Sequence, residues 1–200
     1  MTSESERIVG LYQRHAAAFD RERSRHLFEK PTLDQFLLLL PPGASILDIG
    51  CGSAEPIARH LIDQGYNVTG VDSSPALIDL CRNRFADQQW IVADMRTLSL
   101  DRRFDGILAW DSFFHLCHED QRAMFPIFRG HAAPRAALLF TSGPSHGEAI
   151  GTFQGEPLYH ASLDAGEYQT LLDTTGFDLV AHMVEDYDRG GHTVWLAQAR

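Results

Sequence analysis

The sequence of 200 residues is short of cysteine, of basic side chains and of long apolar runs. Its three cysteines, Cys51, Cys81 and Cys117, are odd in number and widely spaced, which argues against both a disulfide framework and a zinc site. No stretch approaches the roughly 20 apolar residues that cross a bilayer, and the polar, acid-bearing start is unlike a secretory signal. We therefore expect a cytoplasmic protein with free thiols, no membrane partner and no bound metal.

Basic charge is also scarce, since 17 lysines and arginines face 27 aspartates and glutamates, for a net charge of -10. Broad binding to nucleic acids depends on a basic surface that displaces counterions from phosphates. The composition thus predicts no nucleic-acid partner, and it says nothing about the oligomeric state.

A glycine-rich turn between a predicted strand and a predicted helix is the most informative feature that is present. An apolar run at residues 46–49 leads into Gly50-Cys51-Gly52, and a helical pattern follows at residues 56–64. Glycine lets the backbone adopt positive φ angles and approach a ligand closely. Strand, glycine turn and helix in this order are typical of the start of a nucleotide-binding βαβ unit.

An acidic residue lies at the expected distance from this turn. Asp72 comes twenty positions after Gly52, at the end of a second predicted strand over residues 67–71. A carboxylate in this place can accept hydrogen bonds from both hydroxyls of a ribose. The third glycine of the dinucleotide-binding pattern is missing, because Glu55 occupies its position.

The pattern Asp48-Ile49-Gly50-Cys51-Gly52 with Asp72 downstream resembles motif I and the following acidic position of class I S-adenosylmethionine-dependent methyltransferases. The resemblance covers about residues 45–200. It implies S-adenosylmethionine as cofactor and S-adenosylhomocysteine as product. It also implies that Asp94, after the third strand, accepts a hydrogen bond from the adenine amino group while Met95 packs on the ring.

The turn and its neighbours are the candidates for the rest of the cofactor site. We expect Asp48 to lie behind the glycine turn and to accept hydrogen bonds from its amides. The remaining candidates are the polar or small residues of the two loops and the aromatic residue after the fourth strand: Gly50, Cys51, Gly52, Ser53, Ser73 and Trp110.

The segment after the fourth strand supplies the catalytic candidates. Asp111 and His115 follow that strand, where ligands of open α/β sheets bind, and the neutral range of a histidine pKa suits a general base. A packing role for His115 is equally consistent with the sequence. The segment lacks the Asn-Pro-Pro-Tyr and Pro-Cys motifs of DNA base methyltransferases, which agrees with the acidic charge.

Alternating strands and helices predict an α/β fold: a doubly wound, mostly parallel, seven-stranded, Rossmann-like sheet with an antiparallel C-terminal edge strand. Helices are expected at residues 5–19 and 32–40, then at 119–129 with a kink at Pro126, and in a last capped helix that ends at Gly176.

The chain is expected to form one domain over residues 1–200. Residues 1–42 would form a helical lid, residues 43–200 the cofactor-binding core, and residues 142–162 a substrate flap, since loops of that length are usually functional or disordered. The candidate acceptor-binding residues come from the lid, the fourth-strand segment and the flap: Tyr12, Phe19, Trp110, Phe114, His115 and His160.

The resulting hypothesis is an S-adenosylmethionine-dependent methyltransferase that acts on a small molecule by in-line methyl transfer. Two alternatives stay open. A nicotinamide-dependent oxidoreductase would use the same strand, turn and ribose carboxylate, and a non-catalytic protein that binds S-adenosylmethionine would have the same cofactor motifs.

Overall fold

A seven-stranded sheet runs through the centre of the computed structural model, which describes residues 4–186 and 192–200. The strands of the chain are β1 (Ser45–Ile49), β2 (Asn67–Asp72), β3 (Gln89–Val92), β4 (Phe104–Ala109), β5 (Ala132–Ser142), β6 (Gly147–Phe153), β7 (Glu156–Ser162), β8 (Phe177–Asp186) and β9 (His192–Ala199). The order in the sheet is β3-β2-β1-β4-β5-β9-β8. The first five of these strands are parallel, whereas β9 pairs antiparallel with both β5 and β8. The predicted fold class, with its antiparallel C-terminal edge, is confirmed.

Seven α-helices accompany the strands within the described ranges. They are α1 (Glu4–Arg14), α2 (Ala16–Glu22), α3 (Lys30–Leu37), α4 (Ile57–Asp63), α5 (Pro75–Arg84), α6 (His118–His131) and α7 (Ala165–Thr174). None of them is long and apolar enough to cross a membrane.

The sheet separates two apolar clusters, as a doubly wound fold requires. Successive residues of β1 point to opposite faces, so Ile46 packs into one cluster with Phe36 of α3 and Leu61 of α4. Leu47 belongs to the other cluster, which contains a group of aromatic rings around Phe113. Strand β1 is therefore buried on both faces, and its carboxyl end opens into the glycine turn.

The N-terminal helices differ from the prediction. The single helix expected at residues 5–19 is divided at His15, where φ is -110° and ψ is 19°, and the His15 ring reaches Glu156 at the start of β7. The helix expected at residues 32–40 begins earlier, because Pro31 is well suited to a first helical turn. It ends at Leu37, after which tighter i to i+3 hydrogen bonds continue to Leu40.

The later elements follow the prediction with two adjustments. Helix α6 passes through Pro126 and extends to His131, and β5 begins at Ala132, four residues before the strand that the sequence predicts at residues 136–141. Helix α7 has the predicted cap, because the Asp164 side chain accepts a hydrogen bond from the amide of Glu167. The sequence also predicts that Asp188-Arg189-Gly190-Gly191 joins the last two strands, and these residues lie outside the described ranges.

Strands β6 and β7 form a separate antiparallel hairpin that packs against α1. The contact is apolar at its centre, where Leu11 of α1 meets Tyr159 and Ala161 of β7. At its edge Glu156 accepts hydrogen bonds from Arg14 and lies 2.6 Å from His15. The N-terminal helix and the hairpin therefore form one continuous layer above the carboxyl edge of the sheet.

Candidate functional site

The glycine turn after β1 is closed onto the end of β2. The amides of Gly50 and Cys51 donate to the carbonyl of Val71 at 2.7 and 3.0 Å, and the amide of Gly52 donates to Asp72 Oδ2 at 3.0 Å. The expectation that Asp48 holds these amides is therefore wrong. In the parallel register Ile49 lies beside Val71. The Val71 carbonyl is therefore the acceptor within reach of the turn amides, in place of the Asp48 side chain.

Both glycines are required by the geometry of the turn. Gly50 and Gly52 have φ angles of 78° and 56°, in the region that glycine adopts most readily. A Cβ on Gly50 would lie 2.2 Å from Cβ of Ser112, and one on Gly52 would lie 2.9 Å from the Phe19 ring. The turn therefore has side chains directly above it and leaves a narrow space for a ligand.

Asp72 stands at the centre of this arrangement. Its Oδ2 accepts from the amide of Gly52 and its Oδ1 from the amide of Ser74 at 2.9 Å. A carboxylate has about four acceptor positions, so each oxygen keeps one for a ligand hydroxyl. Burial raises the pKa of Asp72 to about 6, against the opposing effect of the amide hydrogen bonds. The group is mostly ionised at neutral pH and suits a ribose diol.

Gln13 of α1 also holds this loop, a contact that sequence analysis missed. Its Oε1 accepts from the Ser74 hydroxyl at 2.7 Å and from the amide of Ala76 at 3.1 Å. Ser74 Oγ in turn accepts from the amide of Leu77 and caps α5. A glutamine on a helix is usually a surface residue, so only the packing of α1 on α5 reveals its role.

A cavity of about 750 Å³, part of which is open to solvent, lies above the turn. Its walls include most of the predicted cofactor residues together with apolar residues of α1. The predicted residues on its surface are Gly50, Gly52, Asp72, Ser73, Asp94, Met95, Asp111, His115, Tyr12 and Phe19. We call this space the donor cavity.

Asp94 is oriented at one end of the donor cavity by Arg96. The Arg96 amide donates to Asp94 Oδ1 at 2.9 Å, and its guanidinium donates to both carboxylate oxygens, the shortest contact being 2.6 Å. These hydrogen bonds lower the pKa of Asp94. Arg96 also reaches Asp120 of α6 at 3.4 Å. Sequence analysis missed Arg96. Its side chain pairs with Asp94, two residues earlier, because both residues lie in one short turn.

A second cavity of about 810 Å³ adjoins the first. All six predicted acceptor-binding residues lie on its walls, and we call it the acceptor cavity: Tyr12, Phe19, Trp110, Phe114, His115 and His160. Three residues predicted for the cofactor, Asp48, Cys51 and Trp110, line this cavity and are absent from the walls described for the donor cavity. Ser53 is fully buried and lines neither of the two.

The two cavities share their central walls. Tyr12, Phe19, Asp111 and His115 contribute to both, as do the two glycines of the turn. Asp111 has a positive φ of 49°, which aspartate tolerates better than most residues. Its amide donates to Thr141 Oγ1 at 2.9 Å. This hydrogen bond fixes the residue at the boundary between the cavities.

His115 is buried and connected on both sides of its ring. Nδ1 lies 2.8 Å from the carbonyl oxygen of Tyr159, and Nε2 lies 2.9 Å from the hydroxyl of Tyr12. Burial lowers the pKa of His115 to about 4, so the ring is neutral at physiological pH. A neutral histidine with both ring nitrogens in hydrogen bonds is a poor general base, and it is well suited to positioning Tyr12.

The donor cavity matches the chemistry of S-adenosylmethionine. Asp72 suits its ribose hydroxyls, Asp94 its adenine amino group, and the narrow glycine turn its amino-acid portion. The turn, the carboxylate and the two cavities are arranged at the carboxyl ends of β1, β2 and β4, where open α/β sheets bind ligands.

Comparison with known proteins agrees with this geometry. Residues 46–135 match the family model described as methyltransferase domain. A dTDP-3-amino-3,6-dideoxy-alpha-D-glucopyranose N,N-dimethyltransferase from Streptomyces fradiae is 33% identical over 101 residues, which are 50% of this chain and 39% of that protein. A malonyl-[acyl-carrier protein] O-methyltransferase from Pseudescherichia vulneris is 34% identical over 139 residues, 68% of this chain and 53% of its own. The chain thus spans about half the length, or less, of these two curated relatives.

Solved structures share the fold over nearly the whole chain. A 1,6-didemethyltoxoflavin-N1-methyltransferase from Burkholderia thailandensis superposes with a TM-score of 0.74 at 17% identity, covering 100% of this chain and 91% of its own. An amino pentose methyltransferase from Micromonospora echinaspora gives a TM-score of 0.72 at 18% identity, covering 94% and 96%. Together with the glycine turn, the domain match identifies residues 46–135 as an S-adenosylmethionine-dependent methyltransferase domain, and the solved structures show that the chain has the fold of class I methyltransferases.

Proposed function

We propose that this protein transfers a methyl group from S-adenosylmethionine to a small-molecule acceptor and releases S-adenosylhomocysteine. One observation carries the proposal: a cavity with a ribose-type carboxylate and a glycine turn meets an aromatic cavity at Tyr12, Phe19, Asp111 and His115. Two adjoining cavities can hold a donor and an acceptor end to end. This is the arrangement that in-line transfer needs.

The roles of the donor residues follow from their contacts. Asp72 would bind the ribose hydroxyls with its remaining acceptor positions, and Asp94 the adenine amino group, with Met95 against the ring. Arg96 and Gln13 would act as positioning residues, because each holds one of these two segments through hydrogen bonds to it. The glycine turn and the boundary between the two cavities would be supported, from outside the donor cavity, by Cys51, Ser53 and Trp110.

The chemistry rests mainly on placement. The bound donor supplies an electrophilic methyl group. The chain's own residues exclude water from that group with the rings of Tyr12 and Phe19, and they orient the acceptor against it. Such positioning can contribute up to about 7–11 kcal/mol to lowering a barrier. His115 keeps Tyr12 in place and remains neutral, so its proposed role is positioning.

The N-terminal residues 1–42 are proposed to act as the lid and residues 142–162 as the acceptor flap of one domain. Tyr12 of α1 lines both cavities, and Leu158 and His160 of the hairpin line the acceptor cavity. We also propose a cytoplasmic protein without nucleic-acid or membrane partners, on the grounds of its acidic charge and its unpaired thiols.

Calorimetric titration with S-adenosylmethionine and S-adenosylhomocysteine, with NADH and NADPH as controls, tests the donor. We expect micromolar binding of the first two alone. Asp72→Ala should weaken this binding by about 30-fold or more, since a charge-assisted pair of contacts is lost, whereas Asp87→Ala, at an exposed carboxylate, should leave it unchanged. Binding of a nicotinamide instead would support the oxidoreductase. Donor binding without methyl transfer to any acceptor would support a non-catalytic binding protein.

A further inference from the structure

One side of the acceptor cavity is formed by residues that have no part in the donor cavity. Phe114, Leu158 and His160 line the acceptor cavity and are absent from the walls described for the donor cavity. Phe114 and His160 also line a third cavity of about 890 Å³, part of which is open to solvent. The walls described for this outer cavity include neither the glycine turn nor any other residue of the donor cavity. The groups on this side are therefore placed to contact the acceptor.

His160 of β7 brings an imidazole close to the boundary between the donor and acceptor cavities. Its ring centroid lies 4.9 Å from that of His115, which lines both cavities, and 5.3 Å from that of Phe114. The residue is half-buried between the acceptor cavity and the outer cavity. An acceptor atom held beside His115 can therefore lie within hydrogen-bond distance of the His160 ring.

The hydrogen bonding of His160 leaves it a lone pair, which His115 lacks. Both ring nitrogens of His115 have protein partners. Burial lowers the pKa of His160 below its ordinary value of 6.5, against the opposing effect of a hydrogen bond to the Leu158 carbonyl. A carbonyl only accepts, so one nitrogen of the neutral ring carries the hydrogen and the other has the lone pair. The described residues provide this second nitrogen with no hydrogen-bond partner, and it is available to a ligand.

A free imidazole lone pair is useful to an acceptor that loses a proton as it attacks. A neutral amine attacks with its own lone pair, whereas a hydroxyl group becomes a good nucleophile only as its proton leaves. Imidazole is too weak a base for an aliphatic alcohol, but a phenol such as the tyrosine side chain has a pKa of about 10. Phe114, Leu158 and His160 are uncharged and partly aromatic, which suits the ring of a phenol.

From this geometry we propose that the acceptor is a phenol and that His160 is the general base that takes its proton, an inference that rests on the proposed methyltransferase function. The phenolic oxygen forms the new O–C bond while its proton passes to the unprotonated nitrogen of His160. The C–S bond breaks, and its electron pair stays on sulfur. One positive charge is thus lost at sulfur and one appears on the imidazolium, which then releases its proton to water through the outer cavity.

Three small probes of similar size test the acceptor class: 4-ethylphenol, 4-ethylaniline and 2-phenylethanol. Binding of S-adenosylhomocysteine is first measured by calorimetry, and methylated product is then measured by mass spectrometry on the same preparation with S-adenosylmethionine. We expect the kcat/KM of the phenol to exceed that of the other two at least about tenfold. A preference for the aniline or the alcohol, or no methylation of any probe, would overturn the phenol assignment. Failure of S-adenosylhomocysteine to bind would instead overturn the proposed function.

His160→Ala tests the base. The affinity for S-adenosylhomocysteine should stay within about twofold, because His160 is absent from the walls of the donor cavity, and this binding also reports folding. At pH 8 the kcat/KM for 4-ethylphenol should fall by about 100-fold or more. Imidazole added to the buffer should restore part of the lost rate, because it can occupy the space of the missing ring.

A more acidic phenol separates proton transfer from cavity shape. At pH 8 4-nitrophenol is largely ionised and needs no base, so His160→Ala should lower its kcat/KM by less than about threefold. His26→Ala changes an exposed histidine that lines none of the three cavities, and both phenols should react as with the wild type. Equal losses for the two phenols in His160→Ala, or an unchanged rate with 4-ethylphenol, would overturn the role given to His160.

Discussion

The hydroxyl of Tyr12 donates its hydrogen to Nε2 of His115 across 2.9 Å. The direction follows from the other side of the ring, where Nδ1 lies 2.8 Å from the carbonyl oxygen of Tyr159. A carbonyl only accepts, so Nδ1 carries the hydrogen and the neutral ring has its lone pair on Nε2. One imidazole therefore joins α1, the segment after β4 and the hairpin around the boundary of the two cavities.

Tyr12→Phe tests this connection. The variant keeps a ring beside Phe19 and Phe153 but removes the hydrogen that His115 Nε2 accepts. We expect the kcat/KM for the acceptor to fall by about five- to tenfold, as for a lost neutral hydrogen bond, while the affinity for S-adenosylhomocysteine stays within about twofold. Steady-state kinetics and calorimetry measure the two quantities.

Tyr66→Phe is the control, because Tyr66 precedes β2 at the opposite edge of the sheet. Nitrogen-15 NMR of the His115 ring adds a second measurement, which a purely structural role of Tyr12 would not change. The wild type should show the tautomer with hydrogen on Nδ1, and its Nε2 resonance should shift in Tyr12→Phe. An unchanged Nε2 resonance would show that Tyr12 does not donate to it.

Gln13→Ala tests the attachment of α1 to the ribose loop. The change removes the acceptor of both the Ser74 hydroxyl and the Ala76 amide, so the segment that carries Asp72 becomes less well held. We expect the affinity for S-adenosylhomocysteine to fall about three- to tenfold. Gln169→Ala, at an exposed position of α7, should have no effect.

A double-mutant cycle with Ser74→Ala isolates the contact. If Gln13 acts through Ser74, the two changes should couple by about 0.5–1 kcal/mol in donor binding. Strict additivity of the two losses would mean that Gln13 influences the donor by another route.

The parts of the site that sequence analysis predicted are those determined by local chain order. The glycine turn and Asp72 follow one another within a single βαβ unit, so spacing alone places them. Gln13 could not be found in this way, since its contact with Ser74 depends on how α1 packs on α5. Asp48 was assigned the wrong contact for a related reason: the register of β1 on β2 decides which acceptor meets the turn amides.

Three glycine substitutions separate backbone strain from steric overlap in the turn. Gly50, Gly52 and Gly65 all have positive φ, so alanine should cost each about 1–2 kcal/mol of unfolding free energy. At Gly65 no atom lies within 4 Å of the new Cβ, and this backbone term stands alone. At Gly52 the new Cβ meets the Phe19 ring at 2.9 Å, and a side-chain ring can move.

Gly50→Ala should be the most destabilising of the three. Its Cβ would lie 2.2 Å from Cβ of Ser112, which is anchored to the backbone, while Ser112 Oγ donates to the carbonyl of Ile49. We expect urea unfolding to rank the losses Gly50 above Gly52 above Gly65. Equal losses at Gly50 and Gly65 would mean that Ser112 moves away without cost.

The buried Asp48 carboxyl should make the ligand-free protein less stable as the pH rises. Burial, and next the charge of Asp72, raise the pKa of Asp48 from 3.8 to about 7. A carboxyl whose folded pKa is raised contributes stability that is fully present below its unfolded pKa and is lost as the pH rises through the folded pKa. Between pH 5 and pH 8 the loss is on the order of 3 kcal/mol.

Asp48→Asn should remove this loss, because the amide stays neutral throughout. Urea unfolding of the ligand-free proteins should therefore show a stability advantage of the variant over the wild type that grows by about 3 kcal/mol between pH 5 and pH 8. Asp63→Asn should follow the wild type at both values. A constant difference between wild type and Asp48→Asn across this range would mean that the carboxyl is already ionised at pH 5.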